Sequence, residues 1–362
     1  MQQQISIRQF TIIVIIVIIG DSILYIPSYL AYDAKQDAWL ASCTATALMF
    51  AFGLLFNAVA KRYPGLTPPQ YMEAILGKWI GRFVLILFTS FTFVDLTLLL
   101  LESGDFMISQ VMPETPIYAI MLLFIFIIMI AVRLGMETLA RTAEIVFPFM
   151  LLLLLILLGL LIPKIEFDNI RPILAKGIKP VIEASTVQLG FWLEAIILLF
   201  LYPMINQKSK ATRSFYVGVS IGSLLLFMVT SFTILILGDQ TTTRVAYPTF
   251  TMGKAINIGN FLERFEIVIP IIWLTTLFIK SSISFYATCM GITHLLRLKD
   301  YKVVTVPIAL LALVFARVFI PNRTYYDEFI YKYWLLYALT YAVLIPLLLL
   351  IVDRVRNKRK SR

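Results

Sequence analysis

Charge is what this 362-residue chain has least of. Asp, Glu, Lys and Arg make up 14% of it, against about 25% in a soluble domain, while hydrophobic residues reach 60% and the mean hydropathy is +0.89. So little polar material cannot coat a water-facing surface, which excludes a soluble enzyme. Histidine occurs once and cysteine twice. Cys43 and Cys289 both lie in apolar runs, supply neither a disulfide framework nor metal-ligand spacing, and read as small core residues. His294, beside Arg297 and Lys299 where a span meets a basic loop, reads as a solvated interfacial residue. GxSxG, HExxH and glycine-rich phosphate loops are all missing, so neither an enzyme nor a bound cofactor or metal is expected.

What is abundant is aliphatic sequence. A membrane-crossing helix needs about 20 mostly apolar residues, and ten candidate spans are present, at about 7–30, 37–60, 82–104, 116–133, 142–163, 181–204, 213–237, 265–291, 303–320 and 331–352. The expected fold is an all-α polytopic membrane protein: one transmembrane domain over 1–362, with pseudo-repeats at about 7–163 and 181–352 and a basic tail over 353–362. The first span resembles a signal peptide, with Arg8 before the run from Phe10 to Ile19. Its apolar character continues to Leu30 and nine more spans follow, so it is read as a retained anchor.

The formal net charge is +10. With both termini inside, nineteen Lys and Arg fall in inner segments and ten in outer loops, the bias the positive-inside rule requires. Spread in this way, the basic residues match orientation and attraction to anionic lipid head groups of the bilayer, and no nucleic-acid partner is expected. The tail RVRNKRKSR reads first as a topological signal, with docking of a cytoplasmic partner as the alternative.

Ten spans divide into five plus five, and because five is odd the second set enters the membrane from the opposite side, as in the inverted repeats of many secondary transporters. In such folds the first helix of each repeat is broken near the midplane, so spans one and six should carry unusual residues. Span one reads IIVIIGDSILYIP: Gly20 weakens the helix, and Asp21 and Ser22 are cap-forming types ahead of Ile23. Span six, EASTVQLGFWLEAIILLF, holds Ser185, Thr186, Gln188, Gly190, Phe191 and Glu194.

An acid at the midplane costs about 2.5–3.5 kcal/mol, so Asp21 and Glu194 need partners. Candidates are Asp95 and Thr97 in span three, and Lys280 with Ser281, Ser282 and Ser284 in span eight. Asp21 reads as a cap or as a ligand group, and one side chain can be both. Glu194 reads as a neutral buried acid or as a ligand-facing one. Lys280, too deep to snorkel, pairs with Asp21, Asp95 or Glu194, or serves gating or ligand binding; Arg317, near a span end, snorkels without a role. The candidate ligand-facing set is therefore Gly20, Asp21, Ser22, Ile23, Asp95, Thr97, Gln188, Gly190, Phe191, Glu194, Lys280 and Ser281. Phe191, Trp192 and Tyr286 would shape its volume, whereas Trp79, Trp334 and the aromatics from Tyr325 to Tyr337 read as interfacial belt anchors.

Five stretches, GDSILYIP, GLTPPQYMEAILGKWIG, NIRPILAKGIKPVIEA, FLYPMINQ and RFEIVIPIIWLTTLFIKSSISFYA, occur in an order and spacing that resemble the B subunits of spore nutrient-germinant receptors, within the amino acid–polyamine–organocation transporter superfamily. The resemblance covers nearly the whole chain. Where that family usually has Phe-Gly-Glu in span six, Leu193 here precedes Glu194 and the nearest glycine is Gly190, which leaves the position of the break open. The match at Arg264, Glu266, Trp273 and Lys280 is closer, and it implies a structural role for Arg264 and Glu266 at the outer mouth. The resemblance further implies a receptor subunit in the inner spore membrane, both termini on the core side, that binds a small nutrient such as an amino acid at the broken helices. It would act with an A subunit and a lipoprotein C subunit to trigger germination. A proton-coupled amino-acid or polyamine transporter is the alternative, and a passive conduit for water or ions a third.

Overall fold

The architecture follows from how the chain spends its aliphatic runs. A computed structural model describes residues 4–256 and 265–360. Span one is two short helices, α1 (Ile7–Ile19) and α2 (Ser22–Ala34), and span two is α3 (Ala38–Arg62). Helix α1 starts at a reciprocal cap, in which the Gln9 amide donates to Ser6 Oγ and the Ser6 amide to Gln9 Oε1. From Ser22 to Arg62 the chain is helical over 41 residues. At 1.5 Å per residue that is about 60 Å, twice a bilayer core, so it must make two passes, and it turns at Lys35, whose φ is 54°.

An amphipathic helix α4 (Pro68–Leu76) leads into span three, α5 (Lys78–Phe106), followed by α6 (Ile117–Leu134) and α7 (Met136–Leu161). The α6–α7 junction is a single residue, Gly135, at φ 104°, a conformation that needs no side chain. Span six begins as α8 (Lys179–Leu193) and continues from Glu194 to Phe200 as a 3₁₀-helix. Span seven is α9 (Lys208–Arg244), kinked at Gly238, and α10 (Pro248–Gly253) is the short connection before span eight, α11 (Val268–Leu295). Span nine is α12 (Thr305–Phe319). Span ten is a continuous helical rod of α13 (Arg323–Phe329), α14 (Leu335–Leu339) and α15 (Ile345–Lys360), joined by π-helical turns at Ile330–Trp334 and Thr340–Leu344. Eight of these helical stretches are long and apolar enough to cross a membrane; Ile7–Ile19 and Thr305–Phe319 are shorter. Counting α1–α2 as one broken crossing and separating it from α3 gives ten spans, and the chain is a multi-pass membrane protein.

The packing maps onto itself when each of the first five spans is exchanged with the span five later. Span one packs on seven as six packs on two, three on nine as eight on four, five on one as ten on six, and one–six, two–seven, three–eight and four–nine pair directly. The short helices α4 and α10 also correspond, each entered through a proline at its start. This is the expected five-plus-five inverted repeat. Spans one and seven approach closely, between α1 and α9: a Cβ on Gly218 would stand 2.6 Å from Val14 Cβ, and one on Gly222 2.9 Å from Ile18 Cβ. Two glycines four apart thus bring the backbones together, in the manner of small-residue helix contacts in lipid.

Cys289 is buried as expected, but Cys43 is exposed on α3. In a span that is apolar all round, apolar neighbours say nothing about which face points inward, so the core placement of Cys43 does not hold. Many large side chains, such as Phe126 and Leu152, likewise face outward, where the bilayer lies. Glu266 is half-buried against Gly253 at the start of span eight, whereas Arg264 lies outside the described residues.

Candidate functional site

The two helix breaks meet at Lys280. Its side chain, fully buried on α11, runs past Gly20, where a Cβ would stand only 2.8 Å from Lys280 Cδ, so the glycine makes room for the lysine stem. The ammonium donates to Asp21 Oδ1 at 2.6 Å and forms an ion pair with Glu194 Oε2. Asp21 occupies the junction of α1 and α2, and Glu194 the point where span six changes from α to 3₁₀ geometry. One cation therefore ties together the irregular points of both repeats. The remaining Glu194 oxygen accepts from Trp334 Nε1 at 2.8 Å, and the carboxylate of Asp95, within electrostatic reach of the group, accepts from Ser284 Oγ.

Backbone carbonyls at and just after the first break, among them that of Ile23, which loses its helical donor because Pro27 has no N–H, are satisfied by neighbouring elements. Thr276 Oγ1 donates to the Gly20 carbonyl at 3.0 Å, Thr249 Oγ1 to Ile23 at 2.7 Å, and Trp192 Nε1 to Ile18 at 3.0 Å. A helix interrupted in hydrocarbon persists only when its carbonyls find such partners. Beside the ion cluster, the hydroxyls of Ser22 and Ser281 are buried with no hydrogen-bond partner among the described residues.

The sequence-derived set thus divides. Gly20, Asp21, Ser22, Ile23, Glu194, Lys280 and Ser281 lie at or beside the breaks, with Asp95 next to them through Ser284. Four others do something else. Gln188 donates to Ser42 on α3 at 3.3 Å, and Thr97 bonds to its own helix at Val94. Phe191 packs against Tyr29 with ring centroids 6.1 Å apart. Gly190 is inside α8, where a Cβ would come within 3.3 Å of Trp334 and 3.5 Å of the Leu335 backbone. Its missing side chain admits span ten, and the break lies at Glu194, one turn later. Asp21 does not cap α2 with its side chain, because that carboxylate is committed to Lys280.

Three interfacial readings also change. Trp334 is no belt anchor: span ten starts at Arg323, so this residue lies eleven positions, roughly 16 Å, along the rod and is buried. Arg317 pairs with Asp105 at 3.7 Å, and His294 Nε2 faces Glu73 at 3.2 Å. Trp79 remains 83% exposed, as a belt residue should.

Access from the face opposite the termini is closed by aromatic rings. One turn after Asp21, Tyr25 packs edge-on against Trp273, and the Arg323 guanidinium lies over the rings of Tyr25, Tyr326 and Tyr247 at 4.7, 5.1 and 5.4 Å. Arg323 also pairs with Asp327 at 2.9 Å, which accepts from Tyr29, and Tyr326 donates to the buried Glu102. Above this lid is a cavity of about 430 Å³ lined by Tyr29, Arg244, Arg323, Asp327 and Tyr331. On the terminal face a cavity of about 580 Å³ is lined in part by Gln70, Pro203, Tyr286 and Tyr301, so Tyr286 borders that vestibule. Neither cavity has Lys280 in its wall. Glu102, Tyr326 and Trp334 were missed by sequence reasoning as site residues, the first two because they sit in segments that read as a span end and a belt; Ser284, a candidate polar partner from the sequence, is placed on Asp95.

Two solved structures share this helix arrangement. A nucleobase-cation-symport-1 family transporter, Mhp1, in a closed conformation with bromovinylhydantoin bound, superposes with a TM-score of 0.72 at 10% identity over 93% of this chain and 76% of its own. MhsT in complex with L-phenylalanine does so with 0.66 at 15% identity over 97% and 99%. Among characterised sequences, spore germination protein KB of Bacillus subtilis is 28% identical over 99% of this chain and 97% of its own, and protein B2 of the same organism 22% over the same shares. Spore germination protein XB of Bacillus anthracis is 24% identical over 72% and 73%. The profile of the spore germination proteins, the spore permeases, matches residues 4–324, and the chain belongs to that family.

Proposed function

We propose that this chain is the membrane subunit of a spore nutrient-germinant receptor and that a small nutrient such as an amino acid binds at the junction of the two broken helices. The observation that carries this reading is the Lys280 bridge from Asp21 to Glu194, which makes the centre sensitive to anything that competes for either carboxylate. A nutrient carboxylate would meet the positive end of α2 at Ser22–Ile23, and its amino group would compete with Lys280 for an acid or take a freed carbonyl. The unpartnered Ser22 and Ser281 hydroxyls supply further contacts. Displacing Lys280 loosens the tie between repeats, and the ligand then favours one arrangement of spans one and six by its differential affinity. The subunit would do this in the inner spore membrane, with its termini on the core side, beside an A subunit and a lipoprotein C subunit, and without chemistry of its own.

The test is a germination dose response in spores whose corresponding subunit is replaced by this chain, screened with single amino acids and sugars. Asp21→Asn at normal abundance should shift the half-maximal concentration of the active nutrient; an unchanged curve rejects the site. A second reading, a proton-coupled amino-acid or polyamine transporter, is favoured by the surplus of acids, with Asp21, Glu194 and Asp95 facing one lysine. Uptake by the purified chain in proteoliposomes, driven by a pH gradient, would establish it in place of the receptor.

A further inference from the structure

On the terminal face, at the junction of α4, the start of α5 and the end of α11, the chain forms a cavity of about 480 Å³ lined by Glu73, Lys78, Arg82, His294, Arg297 and Leu298. Four of the six lining residues are basic types and one is acidic. Glu73 is already engaged by Arg82 at 2.7 Å and His294 at 3.2 Å. Lys78 and Arg297 have no carboxylate within 4.0 Å among the described residues, so the cavity holds two cationic side chains beyond what its own acid can balance.

The surroundings choose between a dissolved anion and a lipid. Trp79 and Phe83, on the turns of α5 that bear Lys78 and Arg82, are 83% and 62% exposed, and Leu296, next to Arg297, is 62% exposed. A basic cavity whose lining residues Lys78, Arg82 and Arg297 each have an exposed apolar neighbour in the chain, one of them a tryptophan at a span end, matches an amphiphile better than a free ion. We propose that this cavity binds the phosphodiester head group of an anionic phospholipid, with Lys78 and Arg297 as its anchors and the acyl chains lying along Trp79, Phe83 and Leu296. Arg297 offers paired N–H donors to phosphate oxygens and Lys78 a mobile point charge. The Glu73–Arg82–His294 group holds α4 against α5 and fixes the floor of the cavity. This site is separate from the Lys280 centre and does not depend on the germinant reading.

The experiment uses the purified full chain in neutral detergent micelles, titrated with phosphatidylglycerol or phosphatidylcholine and read by native mass spectrometry. Phosphatidylglycerol should bind at least about tenfold more tightly than phosphatidylcholine, and Lys78→Gln/Arg297→Gln should weaken it about thirtyfold, the loss of two basic contacts at a membrane surface. Lys208→Gln/Lys210→Gln removes equal charge from the same face and should change binding by less than about threefold. Inorganic phosphate at concentrations matching the lipid should displace none of it. Equal weakening by both double variants would reduce the site to diffuse surface attraction and overturn the proposal. Displacement by inorganic phosphate would make it a site for a soluble anion, and absence of head-group preference would remove it. Melting of each variant without lipid, expected to match the unaltered chain, separates lost binding from lost folding.

Discussion

Replacing Lys280 by methionine keeps the stem that fills the space beside Gly20 and deletes the charge. Asp21 and Glu194, both buried, would then face each other without their shared cation. Removing one partner of a buried ion pair costs about 3–5 kcal/mol, because the penalty of the abandoned charge remains. For a chain of this length an unfolding entropy of ~2.1 cal/mol/K per residue converts that to a fall of roughly 4–7 °C in melting midpoint. Thermal unfolding of the detergent-solubilised protein, followed by size-exclusion of the surviving fraction, measures it. Adding Asp21→Asn and Glu194→Gln to Lys280→Met neutralises the centre and should restore most of the loss, since a buried pair contributes little net stability over neutral neighbours. If Lys280→Met melts within about 1 °C of the unaltered chain, or the triple variant is worse than the single, the ion cluster does not join the two repeats.

Other consequences are as specific. Gly20→Ala places a methyl 2.8 Å from Lys280 Cδ, so it should move the lysine off Asp21, destabilise the chain by about 1–3 kcal/mol in a melting assay, and alter the germination dose response. Gly218→Val should be at least as costly, because its Cβ would meet Val14 at 2.6 Å and force α1 from α9, again read as a lowered midpoint. Trp334→Phe leaves a buried Glu194 oxygen without its donor and should cost about 1–3 kcal/mol on the same scale. Outside the membrane, the hydrogen bond from Arg82, then that from His294, hold the Glu73 carboxyl below the usual carboxylate range. A depressed acid stabilises the fold above its ordinary value and loses that contribution as pH falls through the lowered one. Glu73→Gln should therefore flatten the decline in melting midpoint on acidification below about pH 4.5, and an unchanged profile would count against the contact.

How much of this was legible in the sequence depended on contrast. Gly20, Asp21 and Ser22 stand out because everything around them is aliphatic, and a lysine buried far from either span end has nowhere to go but to an acid. Span six offered less contrast. A glycine there serves a helix break or a close approach equally well, and only the position of Trp334 against Gly190 shows that it is the second. Trp334 itself was misplaced because the polar residues from Arg323 to Glu328 hide the first turns of span ten; a helix counted from Arg323 would have put the indole at depth. The pairings Arg317–Asp105, His294–Glu73 and Tyr326–Glu102 join spans distant in sequence, and no local periodicity reports them. The ten crossings were readable from length alone, and the exposed face of Cys43 was not.

The broken helices are the proposed seat of the nutrient, and a structure of the chain with its active nutrient bound tests that most directly. The prediction is ligand density at the junction of α1, α2 and Glu194, with polar atoms within hydrogen-bond distance of Ser22 or Ser281 and Lys280 withdrawn from one of its two carboxylates. Density confined to the cavity beside Arg323 and Tyr29, with the Asp21–Lys280–Glu194 cluster unchanged, would contradict it.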